Sequence, residues 1–249
     1  MQRIFILTSL VLGSLAAGCV ADSGDESFVI QGVLSPPEGA ACAFTPSAAG
    51  PFISRGFSGL NTTTFLIEAQ FESRVQAAEG KESLRTIFVE GANVELRVSP
   101  MIIIENNVTR FDDSTEQTIQ FQTLFSSALP PNAGLSAAAI SLIPPDIMAS
   151  IRLAAGPGVA DRNVSTSIEV DATITAFGDF YGDRLDSTPF TFASDITNQN
   201  IINLGTCPLP ATTAVPDPIT GCINFGQNVD ACCVDATAGV VCPPTFEQL

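Results

Sequence analysis

The chain has 249 residues, with 26 acidic against 10 basic side chains and a formal charge of −16 at neutral pH. So negative a surface repels phosphate backbones and anionic head groups, which argues against a nucleic-acid partner. Hydrophobic residues make up 45% of the chain, enough for a folded core, while the complete absence of His removes Ser-His-Asp, Cys-His and most zinc-hydrolase sites.

The N-terminus opens with Arg3 and an apolar stretch, Ile4 to Ala17, broken only by Thr8, Ser9, Gly13 and Ser14. A spanning helix needs about 20 apolar residues, so this stretch reads as the h-region of an export signal. It closes on Leu15, Ala16, Ala17, Gly18 and Cys19, which has the form of a bacterial lipoprotein signal. The small residues leave an open peptide bond for a signal peptidase. The Cys19 thiol can take a diacylglyceryl group, and acylation of the new amino terminus would complete a stable anchor. Ala16 stands where Leu is commonest in such signals, and an ordinary secretory signal with an incidental Cys is the alternative. Cleavage removes Arg3 and no acidic residue, so the exported chain is more acidic by one charge. Val20 follows Cys19, with no Asp to suggest inner-membrane retention; by resemblance to Gram-negative sorting patterns, the expected location is the outer membrane, facing periplasm or cell surface.

Residues 19–27 read as a short lipidated tether and 28–204 as a β domain. Phe65, Ile67, Ala69 and Phe71 alternate with Leu66, Glu68, Gln70 and Glu72, a period of two with one buried face. The pattern returns at Ala92, Val94, Leu96 and Val98, and most strictly at Ile168, Val170, Ala172, Ile174 and Ala176. Weaker strands are predicted at Met101 to Ile104, Thr118 to Phe125, Ala138 to Leu142 and Phe190 to Ala193. Pro and Gly clusters punctuate them. No window shows a convincing 3.6-residue period, although 137–153 has room for a short helical turn. The fold expected is all-β, an antiparallel sandwich, immunoglobulin-like or related.

Of the seven cysteines, six follow Cys19: Cys42, Cys207, Cys222, Cys232, Cys233 and Cys242. An even set in an oxidising compartment reads as disulfides, with the connectivity open. Neighbouring Cys232 and Cys233 would strain if joined to each other. No CxxC pair and no His support zinc. Residues 205–249, rich in Pro and holding five of these cysteines, read as a cross-linked tail packed on the domain.

No catalytic motif stands out. Lys81, the sole lysine, sits in a polar segment that suits a solvated turn better than a Ser-Lys dyad. Paired carboxylates suffice for a glycosidase, but the chain has no Trp and only Tyr181 as a phenol to build a sugar platform. The chain therefore reads as non-catalytic. The sharpest polar constellation is Gly178 to Asp186, where Asp179, Asp183 and Asp186 could offer oxygen ligands to calcium or form an ordinary Asp- and Gly-rich turn. Asp112 and Asp113 beside Ser114 carry the same turn reading. Asn61, Asn107 and Asn163 each begin an N-x-[ST] pattern and mark surface turns.

The lipobox, the Cys42-Ala43-Phe44 segment, Val89 to Leu96 and the tail pieces Gly221-Cys222, Gly226-Gln227, Cys232-Cys233 and Cys242-Pro243 resemble uncharacterised outer-membrane lipoproteins of the myxobacterial type. The resemblance implies export and a sandwich domain, and brings no site residues with it. The function expected is that of a lipid-anchored envelope protein, tethered to the membrane through its N-terminal lipid, with a structural or protein-interaction role and an envelope protein as partner. A ligand-binding lipoprotein capturing calcium or a small molecule is the alternative.

Overall fold

In a computed structural model, the described residues are 27–35, 44–60, 63–77, 79–80, 85–155, 164–198, 201–206, 230–235 and 239–241. In chain order the strands are β1 (Phe28–Leu34), β2 (Phe52–Ile53), β3 (Arg55–Gly59), β4 (Phe65–Ser73), β5 (Ile87–Val98), β6 (Met101–Glu105), β7 (Val108–Asp112), β8 (Gln117–Leu129) and β9 (Leu135–Ile143). After helix α1 (Pro145–Ala155) come β10 (Ser165–Phe180), β11 (Asp183–Asp186), β12 (Phe190–Thr197), β13 (Ile201–Thr206), β14 (Asp230–Asp235) and β15 (Gly239–Val241).

The strands form a smaller sheet in the order β2-β1-β4-β9 and a larger one in the order β3-β12-β10-β5-β8. The all-β sandwich expected from the alternation is present. Its pairing is mixed rather than purely antiparallel: β3 lies parallel to β12, and β13 lies parallel to β14. Strands β13 to β15 make a separate sheet that straddles position 204 and continues into the region read from sequence as a cross-linked tail.

Alternation dictates the core. On β10, Ile168, Val170, Ala172, Ile174 and Ala176 are all fully buried, and they line up with Val94 and Leu96 of β5 and with Phe192 and Ile196 of β12. Opposite them lie Phe28, Phe65, Ile67, Phe71 and Ile140 of the smaller sheet. Two contacts mark how the sheets face each other. Phe71 of β4 stacks on Phe125 of β8 with ring centroids 5.9 Å apart. Phe65 of one sheet and Phe192 of the other close over Gly56, where a Cβ would stand 2.6 Å from the Phe65 ring.

One residue resets the phase of β5. The register shifts at Glu90 on both sides: Glu90 is the extra residue against β10, whereas against β8 it faces two residues, Phe125 and Ser126, and the buried positions of β5 move from Ile87 and Val89 to Ala92, Val94, Leu96 and Val98. On the facing strand, Gly178 has no room for a side chain: a Cβ would stand 2.4 Å from the Phe88 carbonyl oxygen. A bulge of this kind bends and twists the strand locally.

Strands β5 and β6 run on as one long hairpin limb, with β7 and β8 as the other. The limbs break at Ser99-Pro100 and at the 3-10 turn Asp113–Thr115, and they join through Asn106 and Asn107 in left-handed conformation at φ 51° and 63°. Asn tolerates that region better than most residues, which suits it to such a turn. Asp112 caps the 3-10 turn by accepting from the Ser114 amide at 2.9 Å, and that bond holds its carboxyl below the usual range.

Helix α1 starts with Pro145, whose missing N–H costs nothing in a first turn, and carries Asp146 early and Arg152 late, in the sense the helix dipole favours. Ile147, Met148 and Ile151 close over the core while Leu153 points out, 83% exposed. None of the helices among the described residues is long and apolar enough to cross a membrane.

The outer face of the smaller sheet is partly roofed by residues 44–51. Fully buried Gln70 is satisfied there, accepting from the Ser47 amide at 2.8 Å and donating to the Ser47 carbonyl at 2.9 Å. Glu68, two residues earlier on the same face, is half-buried and paired laterally with Ala139, and desolvation pushes its carboxyl up to about 7. A folded carboxyl that holds its proton more tightly than the unfolded one weakens the fold as pH rises from about 4.5 to about 7, and costs no more above that. Glu68→Gln is therefore expected to raise the melting temperature at pH 8 and to leave it nearly unchanged at pH 4. After discounting for solvent the gain is on the order of 1 kcal/mol. A pH-independent difference in thermal melts would show that the carboxyl is not the cause.

Candidate interaction surface

The outer face of the larger sheet is polar through its middle and apolar at both ends. In the middle, Arg55 of β3 spans two strands: its Nη2 donates to Asp195 at 2.6 Å and to Glu169 at 2.7 Å. These carboxylates hold the guanidinium charged, above its ordinary range. A forked contact of this kind fixes a short parallel edge strand against β12 more firmly than a point charge would. Further along, Gln120 of β8 donates to Glu95 of β5 at 2.8 Å, and Gln122 donates to Asn93 at 3.3 Å. The Gln120 bond and Arg97 together hold the Glu95 carboxyl low. Asn93, Glu95, Gln120, Thr173 and Thr175 line a shallow, open depression of about 450 Å³.

At one end of this face, Phe177 of β10 lies across Gly91 beside Leu124 of β8. A Cβ at Gly91 would stand 2.7 Å from the Phe177 ring. Phe88 and Leu124 are 55% and 74% exposed, and the Arg184 guanidinium sits 4.4 Å from the Phe177 ring centroid. At the other end, the β6–β7 arm exposes Val108 and Phe111, and Phe111 pairs across the hairpin with Ile102.

The strand at the margin is β8. It pairs with β5 along one side, and among the described residues its other side has no strand partner. Its sequence, QTIQFQTLFSSAL, holds no charged residue, Pro or Gly over 13 positions. Natural sheets usually protect such a margin with charge, Pro, a bulge or a short strand; of these β8 has only a register irregularity, where Phe125 and Ser126 together face Glu90 of β5. Here Ile119, Phe121 and Phe125, on the side facing the smaller sheet, are only half-buried. Toward the β8–β9 turn this side is engaged by β9, where the Ser127 hydroxyl contacts Ser136 and donates to the Ala137 carbonyl at 3.3 Å.

The Gly178 to Asp186 constellation is a two-residue hairpin turn. Tyr181 and Gly182 occupy left-handed conformations at φ 58° and 88°, and Asp179 accepts from the Gly182 amide at 3.2 Å. The register pairs Asp179 with Arg184, Phe177 with Asp186 and Phe180 with Asp183. Alternation therefore sets Asp183 on the opposite face from Asp179 and Asp186. Arg184 takes up Asp186 at 3.3 Å. Among the described residues, no group of three or more Cys, Asp or Glu stands close enough to hold a metal ion.

The sequence-based candidates Cys19, Cys42, Cys207, Cys222 and Cys242 lie outside the described residues, as does Lys81. Cys232 and Cys233 fall on β14, where only the backbone is described. The open margin was not singled out from sequence; the run without charge from Gln117 to Leu129 was the signal that could have found it.

Fold and surface together define the class: an all-β sandwich whose larger sheet ends, among the described residues, on the uncharged strand β8. No family model matches the chain, and no curated protein does. Among solved structures it is similar to a protein from Archaeoglobus fulgidus, 17% identical, over 53% of this chain and 83% of that one at a TM-score of 0.28. Likeness at that level carries no argument.

Proposed function

We propose that this is an exported, lipid-anchored envelope protein without catalytic activity, whose sandwich serves as a protein-interaction module. Leu15 to Cys19 support the anchor through Cys19, and the acidity and missing His agree with a non-catalytic role outside nucleic-acid biology. The observation that carries the interaction reading is the uncharged, one-sided strand β8. A free strand edge offers a row of backbone donors and acceptors to an extended segment of another protein, and flanking side chains then choose among partners.

A photo-reactive residue placed at Gln120 tests this reading in producing cells, with the same probe at Thr191, exposed on β12 three strands away from β8 in the same sheet, as control. The expected result is a protein adduct from position 120 and none from position 191. Equal yields from both positions, or no adduct at either, would refute it.

A further inference from the structure

The chain enters the sandwich at one end and leaves it at the other. Phe28, the first residue of β1, stands beside Ser73 at the close of β4, and the Ser73 amide donates to Gly134 in the β8–β9 turn. That turn follows Leu129, which pairs with Ile87, and Phe88 pairs with Asp179 just before the Tyr181-Gly182 turn. Register therefore gathers the start of β1, the β8–β9 turn, the start of β5 and the β10–β11 turn at a single end. Strand β12 finishes at the opposite end, where Thr197 pairs with Ser167.

The entry end presents aromatic surface to solvent. Tyr181 is 65% exposed, Phe88 is also outward, and Pro130 is exposed in the neighbouring turn. Tyr181 is the sole tyrosine of the chain, and it holds a left-handed turn position in which a bulky residue is uncommon and Asn or Gly is the usual choice. Its ring meets Phe180 edge-on, with centroids 4.6 Å apart. A phenol joins an apolar body to a polar tip, the build suited to the boundary between acyl chains and head groups. Arg74 and Arg85, both exposed here, have apolar stems that can lie along such a boundary while their charges stay wet. Glu79 and Asp183 are exposed at this end as well, so apolar contact rather than charge has to hold it.

We propose that this end rests on the lipid bilayer, with Tyr181 and Phe88 seated at the interface between head groups and acyl chains. The proposal depends on the reading of Cys19 as the lipid anchor and adds the orientation of the domain. Nine residues, 19 to 27, then separate the anchor from β1, and fully extended they reach at most about 30 Å. So short a tether keeps the entry end near the membrane, where its apolar groups meet lipid at high effective concentration. An upright domain holds the other apolar end away: β5 alone, with 12 residues, spans roughly 40 Å, and Phe111 lies beyond it opposite Ile102. A domain lying on the outer face of the larger sheet would lower both ends, but it would also press Glu95, Glu169 and Asp195 toward lipid, at a cost in desolvation.

The chain has no Trp, so Tyr181→Trp places a lone indole at the entry end, with Phe88→Trp as a second probe and Phe111→Trp as the far-end control. All three residues are exposed, so the variants fold, which thermal melts verify. The lipidated full chain is incorporated into phosphatidylcholine vesicles with and without bromine on the acyl chains. The expected result is a blue shift of Tyr181→Trp and Phe88→Trp on incorporation and loss of their emission to the brominated lipid, with Phe111→Trp unmoved. If the chain carries lipid and floats with the vesicles but neither entry-end probe is quenched, the seat is overturned and the anchor stands. Quenching of Phe111→Trp equal to that of Tyr181→Trp shows a domain lying flat and overturns the orientation. Tyr181→Trp emission already blue-shifted in a Cys19→Ala background without vesicles shows an end covered by protein, which also overturns it. A chain without lipid on Cys19 removes anchor and seat together.

Discussion

Replacing Phe71 by Ala is expected to remove about 3–5 kcal/mol of stability, the usual cost of truncating a buried aromatic in a core. Phe71 is fully buried and stacks on Phe125, so the cavity opens at the contact between the two sheets. Against a total of about 5–15 kcal/mol for a domain, that loss leaves little reserve. The melting temperature should fall by roughly 10 °C or more. Leu124→Ala is the contrast: Leu124 sits one residue before Phe125 on the same strand but is 74% exposed, and its truncation should change stability by no more than about 0.5 kcal/mol. Urea titration under non-reducing conditions measures both. Equal effects of the two substitutions would mean that β4 and β8 do not face each other across a shared core.

Replacing Cys19 by Ala has the largest effect expected on behaviour in the cell. Without the thiol there is no thioether to diacylglycerol, and the lipoprotein-processing step has no substrate. Several acyl chains hold a protein on a membrane far more firmly than one, so if Cys19 carries the proposed anchor its removal changes partition almost completely. The wild-type chain should gain acyl mass and fractionate with membranes, and the variant should carry no lipid and be soluble or unprocessed. If both forms behave alike and carry no lipid, Cys19 is incidental and the chain is freely secreted.

Strands with one wet face were the legible ones. Phe65 to Phe71, Ala92 to Val98 and Ile168 to Ala176 alternate because one side meets the core and the other meets water, and each forms a strand. Where that contrast fails, the sequence is silent. Residues Val108 to Phe111 of β7 are exposed on both faces and show no period. The bulge at Glu90 hides the buried positions Ile87 and Val89 by shifting their phase. Strand β3, Arg-Gly-Phe-Ser-Gly, lacks strand composition, and tertiary packing around Gly56 fixes it instead. Helix α1 turns only Ile147, Met148 and Ile151 inward, too few for a helical period to stand out.

The candidate surface was legible only in part. Thr118 to Phe125 was readable as a strand, yet its own residues do not say whether it has one neighbour or two. That is a property of topology, set by which strands close the sheet. The carboxylates of the Asp179 to Asp186 turn were readable as a cluster, and only the hairpin register separates Asp183 from the other two. The outward Phe88, Phe177 and Leu124 lie far apart in sequence and come together only because β5, β8 and β10 are adjacent.

The central claim is that the free edge of β8 is covered by protein in the envelope. Amide hydrogen exchange, compared between the chain in its native membrane fraction and the same chain purified and dilute, tests it most directly. The amides of 118–126 that point away from β5 should exchange rapidly in the dilute chain and slowly in the membrane fraction, while those of β10 stay protected in both. Equal, rapid exchange of the β8 edge in both preparations would contradict the claim.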